Sequence, residues 1–275
     1  MTTKYGVKTS ARFPRLDRGW SQWRKIRREY HRLRKALAAG REPIIVYSHP
    51  KTASRSVEAA LAASPDHIVT HCHVLRPQHF TRAFEPTSGI LAGGMVRHAE
   101  PTQWALREHL LDQDRPTRIV TLVRDPVATS ISWLYFGLQR WLASWRPIDP
   151  QCLTDDAWID IFRTRYPQFG LWSWWEDEFL PVTGIDPRRD GLDAARGWTL
   201  YEGTRMQVLV MSTHLDDADK TAALQSIFGS KVAPVERRNV SAERAGDAQY
   251  ERVKRLISQD REYCRTLLDH DWSHV

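Results

Sequence analysis

The chain has few cysteines and no long apolar run. Its 275 residues include only three cysteines, Cys72, Cys152 and Cys264, which are too scattered for a disulfide framework or a CxxC metal site. No apolar run reaches the length of a membrane-spanning helix, about 20 residues, and the N-terminus has no apolar segment typical of a signal peptide. These absences argue against disulfide, redox and structural zinc chemistry, and we expect a cytoplasmic protein.

The net positive charge comes from one end of the chain. Residues 1–42 contain 13 Lys and Arg against three Asp and Glu, whereas the rest of the chain contains 27 against 30. A basic segment on a nearly neutral body does not favour specific nucleic-acid binding. Residues 18–39 combine an apolar stripe at helical spacing with many basic residues. Such a helix either packs its stripe on its own protein or makes peripheral contact with an anionic membrane surface or a polyanion.

Residues 43–275 alternate between strand and helix patterns. Short β-branched runs predict strands at 43–48, 67–71, 118–123 and 207–211. Helical patterns lie at 54–63, at 103–111, from Pro126, up to Phe228 and from about residue 241. This order predicts a single α/β domain, a three-layer sandwich with a central, mainly parallel sheet flanked by helices. The stretch 144–205 is rich in tryptophan with weak periodicity, so we interpret it as an insertion or lid.

The segment HPKTASRS, residues 49–56, follows the first predicted strand and opens a helix. Ligands of parallel sheets bind beyond the carboxyl ends of the strands, and the N–H groups of a helix N-terminus favour a phosphate. Lys51 adds a cation, and neighbouring hydroxyls add donors. The segment contains no glycine, so it is not a Walker A loop, which weakens a kinase interpretation. A polar turn capped by Ser and Thr is the alternative.

A second segment, TLVRDPVATSIS at residues 121–132, has the same placement after a strand. Arg124 ends the strand, and Ser132 lies about two helical turns further on. Guanidinium binds phosphate through two parallel hydrogen bonds, so Arg124 and Ser132 suit a second phosphate. The alternative is an arginine paired with a nearby carboxylate. Two such segments at neighbouring strand ends predict a ligand with two separated phosphate groups.

The stretches HPKTASRSVEAAL and LVRDPVATSISWLYF resemble the two cofactor motifs of sulfotransferases that use 3′-phosphoadenosine 5′-phosphosulfate (PAPS). The PKTAS core is most similar to the uronyl 2-O-sulfotransferases. WWEDEFLPVTGID, GWTLY and VLVMSTHLDD resemble bacterial capsular polysaccharide synthesis-type proteins of the same superfamily, with Thr213 and His214 departing from that pattern. The resemblance covers residue 43 to the C-terminus. It implies a P-loop-type fold, PAPS as co-substrate without a metal, and a hydroxyl-bearing, carbohydrate-type acceptor. The implied cofactor-binding residues are Lys51, Thr52, Ala53, Ser54, Arg55, Ser56, Arg124 and Ser132.

The proton acceptor is expected in THCHVL, residues 70–75, just beyond the second predicted strand. The carbohydrate sulfotransferases have a similar His-x-His whose second histidine is the base, which implies His73 as base and His71 as helper. Lys51 would neutralise the charge on the departing phosphate. Without the phosphate motifs, a histidine pair of this kind would suggest loop hydrogen bonds or a metal. The weaker candidates for the base are His49, Glu176 and Glu178.

The sequence allows more than one interpretation of the residues that contact the ligands and of the class of protein. Arg237 and Arg238 precede the last predicted helix and are candidates for contact with the 3′-phosphate. The alternatives to a sulfotransferase are a polyanion- or membrane-surface-binding protein with a degenerate nucleotide site, and a small-molecule kinase. Flat faces for a sugar ring would come from the tryptophans of the insertion, unless these pack in the core. These tryptophans are Trp172, Trp174, Trp175 and Trp198.

Overall fold

The central element is a five-stranded, mostly parallel β-sheet flanked by helices. The structure is a computed structural model, and it describes residues 20–76, 103, 105–143, 152–165, 174–236 and 247–269. The strands run in the order β2-β1-β3-β5-β4; the first four are parallel, and β4 is antiparallel to β5. The predicted α/β class with a mainly parallel sheet is confirmed. The strands are β1 (Glu42–Tyr47), β2 (His67–Cys72), β3 (Thr117–Val123), β4 (Trp198–Glu202) and β5 (Met206–Ser212).

The helices include several short ones and three π-helical turns. The α-helices are α1 (Trp20–Ala38), α2 (Ser54–Ala62), α3 (Pro126–Ala143), α4 (Asp155–Asp160), α5 (Leu180–Thr183), α6 (Pro187–Asp190), α7 (Asp217–Phe228), α8 (Asp247–Gln259) and α9 (Arg261–Asp269). The π-helical turns are π1 (Arg107–Leu111), π2 (Ile161–Arg165) and π3 (Trp174–Phe179). The single predicted last helix is therefore two helices. No helix within the described ranges is both long and apolar enough to cross a membrane.

The two faces of the sheet are both covered, as the continuous apolar runs of the strands require. Successive side chains of a strand point to opposite faces. Ile44 and Val46 of β1 therefore pack in one cluster with residues of α2 and α7. Ile45 and Tyr47 pack in a second cluster with residues of α1, π1 and π3. A third cluster joins α3 to α4 and α8.

The C-terminal half of α1 packs on the sheet. Leu33 and Ala36 are buried in the cluster that contains Tyr47. The Arg32 guanidinium donates to the Val69 carbonyl at 3.4 Å and to the Thr70 hydroxyl at 3.1 Å. This half of the predicted apolar stripe is thus used within the protein. The side chains of Trp20, Trp23 and Ile26, in the first half of the predicted stripe, and residues 1–19 lie outside the described part of the chain.

Part of the tryptophan-rich stretch 144–205 packs in the core of the domain. Trp174 and Trp175 are 2% and 4% exposed and pack in the same cluster as Tyr47. Residues 198–202 form β4, an edge strand that was not predicted. The side chains of β4 are mostly half-exposed, so its sequence lacks the continuous apolar run that marks a strand buried on both faces.

Candidate functional site

The topology brings three loops to one edge of the sheet. The chain places β2 on one side of β1 and β3 on the other, so the strand order reverses between β1 and β3. In open α/β sheets, ligands bind in the crevice beyond the carboxyl ends of the strands at such a reversal. The loops that follow β1, β2 and β3 begin at Ser48, His73 and Arg124, and all three leave the sheet at this edge.

The loop after β1 adopts an unusual backbone. Lys51 and Ala53 have φ angles of 70° and 58°, in the left-handed region that residues with a Cβ rarely adopt. The Thr52 hydroxyl donates to the His49 carbonyl at 2.8 Å, which closes the turn before α2. Left-handed residues other than glycine cluster at ligand sites, because the surrounding structure must hold them in place. The loop is therefore a candidate binding element on its backbone geometry alone.

The N-terminus of α2 carries unsatisfied donors. Ala53 occupies the N-cap position and no side chain caps the helix. Among the residues that the structure describes, the backbone N–H groups of Thr52, Ala53 and Ser54 have no hydrogen-bond acceptor. Free N–H groups at the positive end of a helix dipole attract an anion. Lys51, which directly precedes Thr52, is half-buried and adds a positive charge to the loop. This end of the loop suits a phosphate group.

Arg124 joins the loop after β3 to the loop after β1. Its Nη1 donates to the Lys51 carbonyl at 2.6 Å. The two segments predicted to share one edge of the sheet are thus in direct contact. Asp125 caps α3 by accepting from the Ala128 N–H at 2.6 Å. Ser132, further along α3, is only 3% exposed, so the structure gives Arg124 the more accessible position of the predicted pair.

The two predicted histidines lie against the loop after β1. The Ser54 hydroxyl and His71 Nε2 are 2.8 Å apart, and His73 Nδ1 lies 2.6 Å from the Ser48 carbonyl. The two imidazole rings meet edge to face with centroids 4.5 Å apart. His71 is therefore tied to the first turn of α2, and His73 is tied to the end of β1. The histidine pair and the phosphate-type loop form one cluster of contacts.

The hydrogen bond of His73 determines its tautomer. A carbonyl oxygen only accepts, so Nδ1 carries the proton and Nε2 keeps a lone pair. Burial lowers the pKa of His73 to about 4, with further lowering by Arg55 and Lys51. Burial also lowers the pKa of His71 to about 2, with smaller effects from His73 and Arg55. Both imidazoles are therefore neutral at pH 7, which is the form in which a histidine accepts a proton.

Other predicted site residues have different roles. Arg55 is exposed and forms an ion pair with Glu58 at 2.7 Å, whereas Ser56 is buried. His49 is buried with its ring 5.9 Å from the Trp174 ring, in a packing arrangement. Glu176 is exposed and pairs with Arg188 at 2.9 Å. These positions make His49 and Glu176 poor candidates for a base.

The tryptophans expected to offer flat faces are largely unavailable. Trp174 and Trp175 are buried, because they complete the core over one face of the sheet. Trp198 is half-exposed, and the Arg196 guanidinium lies 3.7 Å from its ring centroid. Trp172, Arg237 and Arg238 lie outside the described residues.

Glu178 was predicted only as a weaker candidate for the base, and the contacts of Tyr47 and Trp174 were not predicted. The Tyr47 hydroxyl donates to Glu178 Oε1, and Trp174 Nε1 donates to the His73 carbonyl at 2.6 Å. Tyr47 is an apolar-pattern residue of β1, and Trp174 lies 101 residues from its partner. Neither local spacing nor periodicity carries a signal for such contacts.

The described part of the chain contains no group of three or more His, Cys, Asp or Glu that could hold a metal ion. Searches of family models, of curated proteins and of solved structures find no match for this chain. The chemical interpretation of the site therefore depends on its own residues and on the motif resemblance.

Proposed function

We propose that this chain is a sulfotransferase that moves a sulfuryl group from PAPS to a hydroxyl of a carbohydrate or glycoconjugate. The proposal implies that the loop after β1 works as a P-loop-type phosphate-binding loop, and that the enzyme acts in the cytoplasm. The observation that carries it is one cluster: a neutral His73, the Lys51 loop and Arg124 share one edge of the sheet.

The residues of the cluster fit a nucleotide with two phosphate groups. The unsatisfied N–H groups of Thr52, Ala53 and Ser54 and the cation of Lys51 would hold the 5′ end. Arg124 is the candidate for the 3′-phosphate, since its guanidinium donates to the Lys51 carbonyl, and a phosphate is a stronger acceptor than a backbone carbonyl. When bound, PAPS would supply the sulfuryl group and a phosphate leaving group.

The proposed reaction needs a base and a cation that neutralises the charge on the departing phosphate. The acceptor oxygen forms a bond to sulfur as the bond from sulfur to the 5′-phosphate oxygen breaks, and the hydroxyl proton passes to His73 Nε2. Lys51 neutralises the charge that develops on the departing phosphate. Lys51 and Arg55 lower the pKa of His73, after the larger effect of burial. A bound bisphosphate offsets these two cations and makes His73 a stronger base.

The direct test is binding of the desulfated product, 3′-phosphoadenosine 5′-phosphate, measured by thermal shift. At about 100 times its Kd, this ligand stabilises a single-site protein by about 2.7 kcal/mol. We expect a clear shift with this ligand and no comparable shift with ATP. Absence of any shift in the unmodified chain would contradict the proposal.

Two variants separate binding from chemistry. Lys51→Ala should abolish sulfuryl transfer to an oligosaccharide acceptor, while Lys35→Ala, an exposed lysine of α1, should leave transfer unchanged. His73→Asn keeps a donor for the Ser48 carbonyl but offers no basic nitrogen, so it should bind the nucleotide and lose turnover. Full activity in His73→Asn would show that another residue is the base. Full activity in Lys51→Ala would show that Lys51 does not neutralise the departing phosphate.

A second candidate function is adsorption to a polyanion or an anionic membrane surface. It is favoured by the exposed basic side chains of α1, among them Arg24, Arg27 and Arg28. Deletion of α1 would also remove the core residues Leu33 and Ala36. Replacing only the three arginines with Gln therefore gives the cleaner test. Binding to anionic vesicles or heparin should then fall with a reduced salt dependence, while the binding of 3′-phosphoadenosine 5′-phosphate stays unchanged.

A further inference from the structure

Glu178 is a buried carboxyl group that gathers donors from two parts of the candidate site. It lies on π3 and is 0% exposed. Its Oε1 accepts from the Tyr47 hydroxyl and from the backbone N–H groups of Leu75 and Arg76, the last at 2.9 Å. Three donors on one oxygen form a stronger anchor when the acceptor is a carboxylate, since hydrogen bonds to a charged acceptor are about twice as strong as neutral ones.

The residues that donate to Glu178 lie next to the two segments that hold His73, the end of β1 and the loop after β2. Leu75 and Arg76 lie two and three positions after His73, in the loop that carries its backbone. Tyr47 directly precedes Ser48, whose carbonyl fixes His73 Nδ1. Trp174, on the same π-helical turn as Glu178, donates to the His73 carbonyl at 2.6 Å. The end of β1 and the loop after β2 are therefore joined through π3.

The protonation state of Glu178 is sensitive to pH in the neutral range. Burial raises its pKa to about 7, against the lowering effect of the hydrogen bonds from Tyr47, Leu75 and Arg76 and of the Arg76 charge. Within the described ranges, the titratable groups that act on it include Tyr47 of β1, Cys72 of β2 and Arg76. Burial raises the pKa values of the Tyr47 hydroxyl and the Cys72 thiol, so both stay protonated while Glu178 titrates.

We propose that Glu178 is a positioning residue for His73: as a carboxylate it holds the loop after β2 and the end of β1 in the arrangement that keeps His73 Nδ1 on the Ser48 carbonyl. This inference rests on the proposed function, because it assigns the base of that reaction its support. Protonation of Glu178 weakens its bonds to Leu75 and Arg76, and the imidazole then loses its single orientation.

The test that needs no variant is NMR of the imidazole nitrogens of His73 in the unmodified chain, followed against pH. Above the pKa of Glu178 we expect the tautomer with the proton on Nδ1 alone, and below it a mixture of tautomers. A single tautomer across the titration of Glu178 would overturn the proposal. This measurement requires no substrate, so its result stands even if the chain transfers no sulfuryl group.

Variants add an activity readout with a matched control. Glu178→Gln keeps an acceptor of the same shape but no charge, and kcat should fall by about 10- to 100-fold because the base is misplaced, with nucleotide affinity unchanged. We expect the activity of the unmodified enzyme to decline below about pH 7, as Glu178 becomes protonated, and we expect Glu178→Gln to lose this pH dependence. Glu176→Gln, an exposed carboxyl group of the same turn, should behave as the unmodified enzyme.

Tyr47→Phe provides a second route if Glu178→Gln does not fold. It removes one of the three donors and leaves the backbone bonds of Leu75 and Arg76 in place. We expect a smaller loss of kcat in the same direction and a partial mixture of His73 tautomers. An unchanged pH profile in Glu178→Gln, or an unchanged His73 tautomer in both variants, would show that Glu178 only stabilises the fold. Failure to bind 3′-phosphoadenosine 5′-phosphate would instead refute the proposed function.

Discussion

The neutral, half-buried His73 makes the stability of the protein depend on pH, and His73→Asn isolates this effect. The folded protein holds the pKa of His73 at about 4, below its ordinary value of 6.5. Between these values the unfolded chain binds a proton that the folded chain does not. The contribution of neutral His73 to the free energy of unfolding is therefore complete above pH 6.5 and is lost as the pH falls toward 4.

The size of the effect follows from the two pKa values. At about pH 5, the unfolded imidazole is nearly fully protonated and the folded one is mostly neutral, which lowers the free energy of unfolding by about 2 kcal/mol relative to neutral pH. His71 has a folded pKa of about 2 and adds a loss of similar size. Glu178 acts in the opposite direction: its pKa is raised to about 7, so its contribution is present at low pH and is lost as the pH rises from 4.5 to 7.

The contributions of His73, His71 and Glu178 fall in the same pH range. A comparison of variants is therefore more informative than the pH dependence of the free energy of unfolding in one protein. Urea unfolding followed by tryptophan fluorescence at about pH 7.5 and about pH 5 gives the free energy of unfolding at each pH. We expect the unmodified chain to lose about 2 kcal/mol more than His73→Asn between these pH values. His214→Asn, an exposed histidine, serves as the control and should match the unmodified chain. An equal pH dependence in His73→Asn and the unmodified chain would refute the burial argument.

Two further predictions concern the loops at the same edge. Ala53 is exposed and has a φ angle of 58°, in the left-handed region. Ala53→Val should therefore lower the free energy of unfolding by about 1 kcal/mol or more, and with it Tm, whereas Ala53→Gly should not lower Tm. Equal Tm values for the two variants would contradict the left-handed geometry. Arg124→Gln should weaken the binding of 3′-phosphoadenosine 5′-phosphate by about 10-fold or more in calorimetry, since a hydrogen bond to a charged group contributes about 1.5–3 kcal/mol. Adenosine 5′-phosphate, which lacks the 3′-phosphate, should bind both forms alike, and a parallel loss for both ligands would assign Arg124 to the loop instead.

Most of the sheet was predictable because its central strands carry strong local patterns. The β-branched runs at β1, β3 and β5 give strand bounds within one or two residues of those in the structure. The edge strand β4 was missed, since Trp198 and its neighbours are only half-buried and form no continuous apolar run. The break between α8 and α9 at Asp260 was also missed. It interrupts a helical pattern without a proline or glycine to mark it.

The candidate site was predictable where its residues lie close together in the chain. The segment from Lys51 to Ser56 and the histidines of residues 70–75 are local patterns, and each follows a strand. Their meeting at one edge follows from the parallel sheet. The roles of individual side chains were less accessible: Arg55 pairs with Glu58, and Trp174 is buried rather than open to a sugar.

The amino-acid sequence by itself determined four of the five strands, β1, β2, β3 and β5, and the polar loops that follow the first three of them, because periodicity and turn chemistry act between near neighbours. Only the tertiary structure decided that Arg124 binds the Lys51 carbonyl and that Glu178 ties Tyr47 to the loop behind His73. Glu178 lies 131 residues from Tyr47, and contacts over such separations arise from the packing of whole elements. The tautomer and pKa of His73 depend on that packing, because burial and a single carbonyl partner set both.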